Sequence, residues 1–351
     1  MKKVFLESHN LKNPFFGFGQ FNIQLLKAFK ELPKEVQLTI HSPNLLQDRK
    51  QFGNSFKYKK YFSFRRYENL RIRKKYDLWH ALNQNTKVEP YHDIPYLLTV
   101  HNTVFAEQKN HPHHIRFQEK LLKSKGITYI SEFAKSSTHE YFEIPDVPEY
   151  VVYNGNPIQE INLPEKFQPK VIPKNPYLFF IGEFAPRKNL KCLVELIEIL
   201  PHHDLVLAGK NSTSYGEELK TLIQQKKLEN RIHLVGKISD TEKQYYYKNC
   251  KAFVFPSLRE GFGLPIIEAM FFQKPIFSSN KTSLPEIGQD LVFYWDEFQA
   301  EGMKEVFENG IKTFNTQKEF YLKKLKDRAQ YFNWKNAAEN YLKIYNVLLN
   351  K

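Results

Sequence analysis

Glu260 and Glu268 bracket the segment EGFGLPIIE, which follows the apolar run AFVFP (252–256). That order reads as a strand ending at Pro256, the loop SLREGFG, and a helix with Pro265 in its first turn, where the missing N–H costs nothing. Gly261 and Gly263 let the backbone approach a ligand closely. The amides of such a helix start can hold a phosphate. Glu260 in the loop and Glu268 a turn inside the helix can then accept hydroxyl hydrogen bonds at two points of one extended ligand. The same spacing also fits a plain crossover carrying two solvated glutamates.

A second strand–loop–helix pattern is FIGEFAPRKN (180–189). Gly182 allows close backbone approach, and Arg187 with Lys188 places two cations at an expected helix start. The helix dipole disfavours cations there, which points to a pyrophosphate clamp, with solvated surface charge as the alternative. His101 closes the run YLLTVHN (96–102), at a strand end where site residues belong, although a lone histidine there is commonly structural. Gly17 and Gly19 in NPFFGFGQ precede a helical pattern, and a G-x-G is equally a simple helix-start turn. The chain has no Asp-x-Asp, so no metal site is expected at a pyrophosphate.

These residues need elements to hold them. Short β-branched or aromatic runs alternate with amphipathic stretches: 4–7, 36–42, 77–81, 96–102, 127–131 and 150–155, then 177–182, 204–209, 231–236, 252–256, 275–279 and 291–295. This predicts an α/β chain with two doubly wound, mostly parallel sheets, joined by the five-proline stretch 156–176 and facing an inter-domain cleft. The expected domains are 1–165 and 170–333. The amphipathic segment 334–351 places Ala337, Ala338, Tyr341, Ile344, Tyr345 and Leu348 at helical spacing.

With 351 residues, 41% hydrophobic and 26% charged, the chain reads as a soluble two-domain protein. The net charge of +14 favours anionic partners. Cys192 and Cys250 show neither a disulfide framework nor metal-ligand spacing. No run approaches a membrane span or a signal-peptide core, so a cytoplasmic protein is expected.

Together these motifs resemble the retaining GT-B glycosyltransferases of family 4 (group 1), particularly bacterial mannosyltransferases of polysaccharide assembly. GEFAPRKN, LVLAGK, RIHLVGKISDTE, FVFPSLREGFGLPIIEAM and KPIFSSNKTSLPEI match in order, and ITYISEFAKSS and VVYNGN fit in the first half. The resemblance implies two Rossmann-like domains, with 334–351 crossing back to the N-terminal one. It implies that Arg187 and Lys188 neutralise the donor diphosphate and that Glu268 binds ribose. Glu260 would contact the transferred sugar with backbone from Gly261, Phe262, Gly263 and Leu264, and Val235, Gly236 and Lys237 would border the base. His101 would meet the donor sugar, and Gly17 and Gly19 would face the donor, although His101–Asn102 departs from the family's common His-Asp. The implied activity is metal-independent, retaining hexosyl transfer, with no cofactor. GDP-mannose is the expected donor and a saccharide or lipid-linked saccharide the acceptor in surface polysaccharide or lipopolysaccharide synthesis. A UDP-sugar is the alternative donor.

Lys57–Lys75 carries nine Lys or Arg against one Glu, interleaved with Tyr58, Tyr61, Phe62, Phe64 and Tyr67. An anionic membrane surface is the favoured partner of this stretch, with peripheral docking on the inner membrane face, against a merely solvated face. The rival classes are a nucleic-acid binder using the same stretch and a non-catalytic nucleotide-sugar binder. His111, His113 and His114 read as a polar loop rather than a metal site.

Overall fold

The computed structural model describes residues 1–14, 17–104, 106–164 and 167–350. The expected boundary at 165 and the helix end at 351 fall outside those residues. The chain forms two compact units, Met1–Pro157 with Phe332–Lys351 (unit 1) and Ile158–Tyr331 (unit 2).

Unit 1 holds a seven-stranded sheet of β1 (Lys2–Glu7), β2 (Val36–Ser42), β3 (Lys57–Lys60), β4 (Leu78–Ala81), β5 (Tyr96–Val100), β6 (Gly126–Tyr129) and β7 (Glu149–Val151). The order is β3-β2-β1-β4-β5-β6-β7 and every pairing is parallel. Leu78–Ala81 and Tyr96–Val100 are buried throughout, as strands covered on both faces must be. β3 carries the sequence KYKK and no apolar pattern announces it. It forms because β2 offers an edge, with Thr39 opposite Lys57, and its lysines keep the new edge from pairing further. The basic stretch therefore begins as a sheet strand and continues as short turns at Ser63–Arg66 and Glu68–Leu70.

Helix Trp334–Leu349 belongs to unit 1 and buries Trp334 together with the six positions read from its periodicity. The Tyr345 hydroxyl lies 2.7 Å from His80 Nδ1 on β4. A Cβ at Gly155 would lie 2.2 Å from the Trp334 backbone nitrogen, so only glycine admits the helix there.

Unit 2 holds β8 (Tyr177–Ile181), β9 (Asp204–Ala208), β10 (Ile232–Gly236), β11 (Ala252–Phe255), β12 (Ile276–Ser279) and β13 (Phe293–Trp295). They run parallel in the order β10-β9-β8-β11-β12-β13. Both sheets reverse their winding once, at β1/β4 and at β8/β11. Such switch points are where open α/β sheets take ligands, outside the strands' carboxyl ends.

The proline-rich stretch differs from a free linker. The backbone N–H of Ile161 donates to Gln244 Oε1 (3.0 Å), that of Val171 to the Tyr246 hydroxyl (3.2 Å), and those of Lys174 and Asn175 to Asp204 Oδ2 (3.0 and 3.2 Å). Prolines prevent a strand ladder, yet side chains of unit 2 accept from several of its amides, and the unit begins at Ile158 rather than at 170. The return to unit 1 comes at Phe332 rather than 334.

Candidate active site

In unit 2 the loops after β8 and β11 interlock. Pro186–Lys188 form a single tight turn, Asn189 takes a left-handed conformation (φ 53°), and helix Lys191–Glu198 starts only after Leu190. Arg187 and Lys188 therefore precede the helix instead of occupying its first turn, as the sequence suggested. Their charge is met by a carboxylate: Glu260 Oε1 accepts from Arg187 Nη1 (3.1 Å), the Ser257 hydroxyl (2.6 Å) and the Lys188 ammonium. Oε2 makes no protein hydrogen bond among the described residues.

The main chain is equally committed. Leu258 N–H donates to the Arg187 carbonyl at 2.7 Å, and Ser257 Oγ lies 3.2 Å from the same oxygen. From the segment after β12, Thr282 Oγ1 accepts the Glu260 N–H (3.1 Å), while Ser283 Oγ donates to the Phe262 carbonyl (2.7 Å) and lies 3.1 Å from that of Glu260. Three loops thus fix one carboxylate. Burial would raise the Glu260 carboxyl, but the Lys188 and Arg187 charges outweigh it and hold it below the usual carboxylate range. Burial lowers Lys188, and the attraction of Glu260 only partly offsets this. The Lys188 ammonium also lies 4.7 Å over the Phe255 ring.

Gly182 keeps this corner open, since a Cβ would lie 3.0 Å from the Phe180 ring and 3.5 Å from Lys188 Cε. Gly209, which no spacing flagged, is the stricter requirement. Its φ is 132° and its Cβ would fall 1.8 Å from the Gly182 carbonyl oxygen.

Helix Leu264–Phe271 starts at Gly263 (φ 125°), with Pro265 in its first turn as read from the sequence. Phe262 is buried beneath the loop. Glu268 is buried, and its two oxygens accept from Lys243 Nζ (3.2 Å) and the Tyr247 hydroxyl (3.0 Å), both on helix Asp240–Asn249. Burial would lower Lys243, but Glu268 and Asp240 hold it above the usual lysine range. Val235, Gly236 (φ 67°) and Lys237 close β10, where Gly236 O accepts from Gly209 N–H at 2.8 Å. Lys170 Nζ reaches back from the proline-rich stretch to the carbonyls of Val235 (3.4 Å) and Lys237. Unit 2 therefore gathers every predicted donor residue of its half at the carboxyl ends of β8 to β11. The partners Ser257, Thr282, Ser283, Lys243 and Tyr247 escape sequence reasoning, because isolated hydroxyls and lysines carry no pattern.

In unit 1, His101 follows β5. Its Nε2–H donates to the Leu82 carbonyl (2.8 Å), and its ring is met edge-on by Phe18 (4.8 Å) and Phe21 (4.6 Å) of helix Gly17–Glu31. Burial pushes the imidazole down to about 4, so it is neutral at pH 7, with Nδ1 left as an acceptor. The partner of His101 is thus a backbone carbonyl in place of the carboxylate of the common His-Asp pattern. Asn102 Oδ1 instead receives Gln84 Nε2 at 3.1 Å. Gly19 is sterically required, its Cβ falling 2.0 Å from the Asn13 carbonyl, whereas Gly17 faces open space, so the two glycines are not an equivalent pair.

His111, His113 and His114 lie at the start of helix Pro112–Lys123 and not in a loop, with His111 Nδ1 accepting the His113 N–H (3.2 Å). Among the described residues no group of three His, Cys, Asp or Glu is placed to hold a metal. No described helix is long and apolar enough to cross a membrane.

Residues 163–330 match the family model of glycosyl transferases group 1. The chain is 24% identical to O-antigen chain mannosyltransferase B of Escherichia coli, over 99% of this chain and 100% of that protein. Its fold is similar to that of sucrose-phosphate synthase from Thermosynechococcus elongatus (TM-score 0.71, 17% identity, 100% of both chains). It is also similar to Anabaena HepE in complex with UDP-glucose (TM-score 0.71, 16% identity, 99% of this chain and 100% of that one). The fold is GT-B.

Proposed function

Because the chain carries a group 1 glycosyltransferase domain over residues 163–330, we propose that it transfers a hexose, mannose from GDP-mannose, to a saccharide or lipid-linked saccharide in surface polysaccharide synthesis. The observation that carries this reading is the single carboxylate oxygen of Glu260 held by Arg187, Lys188 and Ser257 beside the β8/β11 switch point. A site that keeps two cations paired with a carboxylate can share them with a diphosphate as it binds. Glu260 Oε2 is then available to a sugar hydroxyl. Glu268 takes the ribose, Val235 to Lys237 border the base, and backbone from Gly261 to Leu264 lies along the phosphates. His101 meets the donor sugar through Nδ1, with Gly17 and Gly19 beside it.

The reaction proceeds with retention. The bond from the anomeric carbon to the diphosphate breaks with its charge stabilised by Arg187 and Lys188, while the acceptor oxygen bonds on the same face. The acceptor proton passes to the departing phosphate oxygen. No residue is assigned as a covalent nucleophile and no metal or cofactor is required. The basic segment 57–75 docks an anionic membrane surface and makes the protein peripheral to the inner membrane. Phe62, Phe64 and Tyr67 are exposed there beside Arg65 and Arg66. Nucleic acid is not a partner in this reading.

A thermal-shift series with GDP, UDP and their sugars tests the donor, since a ligand bound only to the folded state raises apparent stability. Stabilisation by GDP-mannose above the others is expected. A response to UDP-sugars alone selects the alternative donor, and no response to any of them refutes the reading.

A further inference from the structure

A second carboxylate network lies in unit 1 and has no part in the reaction as described. Glu7 ends β1, and His9 opens the short turn His9–Lys12 just beyond it. This is the β1/β4 switch point. Glu7 is fully buried, and its carboxylate accepts from His9 Nδ1, at 2.9 Å to each oxygen, and from His41 Nδ1 at 3.0 Å near the end of β2. Burial alone would raise this carboxyl. The two imidazoles outweigh it and hold Glu7 well below the usual range, so it stays ionised.

An ionised carboxylate only accepts, so both Nδ1 atoms carry hydrogen and the Nε2 atoms are the remaining ring positions. The two Nε2 atoms differ in access. His41 Nε2 is sealed, with no protein partner among the described residues. The His9 side chain is 15% exposed, and among the described residues its Nε2 makes no protein hydrogen bond. Tyr61 stacks on His9 at 5.1 Å, nearly parallel (16°), and Lys12 Nζ lies 5.5 Å over the Tyr61 ring. The turn lies close against the helix that meets His101, since a Cβ at Gly19 would fall 2.0 Å from the Asn13 carbonyl oxygen and 3.0 Å from that of Asn10, while Phe18 and Phe21 of the same helix meet the His101 ring.

A mechanical tie between β1 and β2 does not need a buried charge, which apolar residues of similar volume replace at little or no cost. A carboxylate that fixes one imidazole nitrogen and leaves the other open is instead the arrangement that aims histidine at a hydroxyl. We propose that His9, oriented by Glu7, hydrogen-bonds a hydroxyl of the saccharide acceptor through Nε2, with Tyr61 as the wall beside it. The proposal rests on the glycosyl-transfer reading. His9 is a binding residue and Glu7 a positioning residue.

The test uses full-length protein with nitrogen-15 histidine rings, titrated with methyl α-D-mannopyranoside and with mannobiose, each with and without GDP. The His9 Nε2 signal should move on adding either sugar. His9→Gln should weaken sugar binding ~10-fold, the worth of one lost hydrogen bond, with its thermal response to GDP unchanged. Glu7→Gln should change the His9 ring signals and weaken their response to sugar. Where that variant fails to fold, the partly exposed His9→Gln carries the test alone. A His9 signal unmoved by both sugars, or sugar affinity kept in His9→Gln, overturns the proposal. A sugar response at His9 without any response to GDP would sink the donor reading and leave this one standing.

Discussion

Glu260→Gln isolates the charge that joins the three loops of unit 2. Its carboxylate oxygen accepts from Arg187, Lys188 and Ser257, and the Lys188 side chain is only 7% exposed. Removing one partner of a buried ion pair costs about 3–5 kcal/mol, because the remaining charge is stranded. Arg187 is 39% exposed and solvent screens its share, so the loss should sit near the lower figure, about 3 kcal/mol. A transition of unit 2 should then fall on the order of 6–12 °C. Adding GDP changes the balance, because its diphosphate gives the stranded cations an anion that no longer competes with Glu260. GDP should therefore raise the melting temperature more in the variant than in the native protein. Transfer should still fall about 100-fold or more, as when an oriented group at a reacting centre is lost. Scanning fluorimetry with and without GDP, beside a transfer assay, reads all three effects. A variant as stable as the native chain, or one stabilised less by GDP, would refute the idea that Glu260 holds the cations in reserve.

Acid should weaken the fold through two buried histidines. Burial holds His80 at about 3 and His101 at about 4, against 6.5 for an ordinary histidine. The unfolded chain therefore binds protons first, and stability present above pH 6.5 is lost as pH falls towards 4 and then 3. Urea midpoints between pH 7 and 4 check this, and a flat profile counts against it. On the membrane side, Phe62→Ser with Phe64→Ser should reduce co-sedimentation with anionic vesicles several-fold, since those rings stack on one another at the surface. Binding indifferent to anionic lipid content would remove segment 57–75 as a docking surface. Chelation should leave the transfer rate unchanged, and a strict loss of activity with EDTA would contradict the metal-free mechanism we propose.

Strands with continuous apolar sequence are legible from their residues alone, because burial on both faces leaves that mark on each position. The Glu260–Glu268 element is legible too, since Pro265 and the flanking glycines report their backbone directly. β3 is not, because KYKK forms a strand only by borrowing an edge from β2. Nor is the docked course of the proline-rich stretch, which depends on Asp204, Gln244 and Tyr246 lying far along the chain. Pairings such as Glu7 with His41 join residues 34 positions apart, and nothing local in either segment announces them. Gly209 is hidden for a related reason, its requirement being set by the carbonyl of Gly182.

Helix Trp334–Leu349 has a consequence for how the chain is made. Unit 2 is inserted within unit 1, whose sheet comes from the first part of the chain and whose covering helix comes from the last. Domains fold as units during synthesis, usually the N-terminal one first. Here the inserted unit can close on itself while the first sheet still waits on the ribosome for Tyr341 and Tyr345. Until they arrive, His80 and Thr99 lack the hydroxyls they meet in the finished fold. Shortening the chain before residue 334 should therefore cost unit 1 its solubility and leave unit 2 folded, an order opposite to the direction of translation.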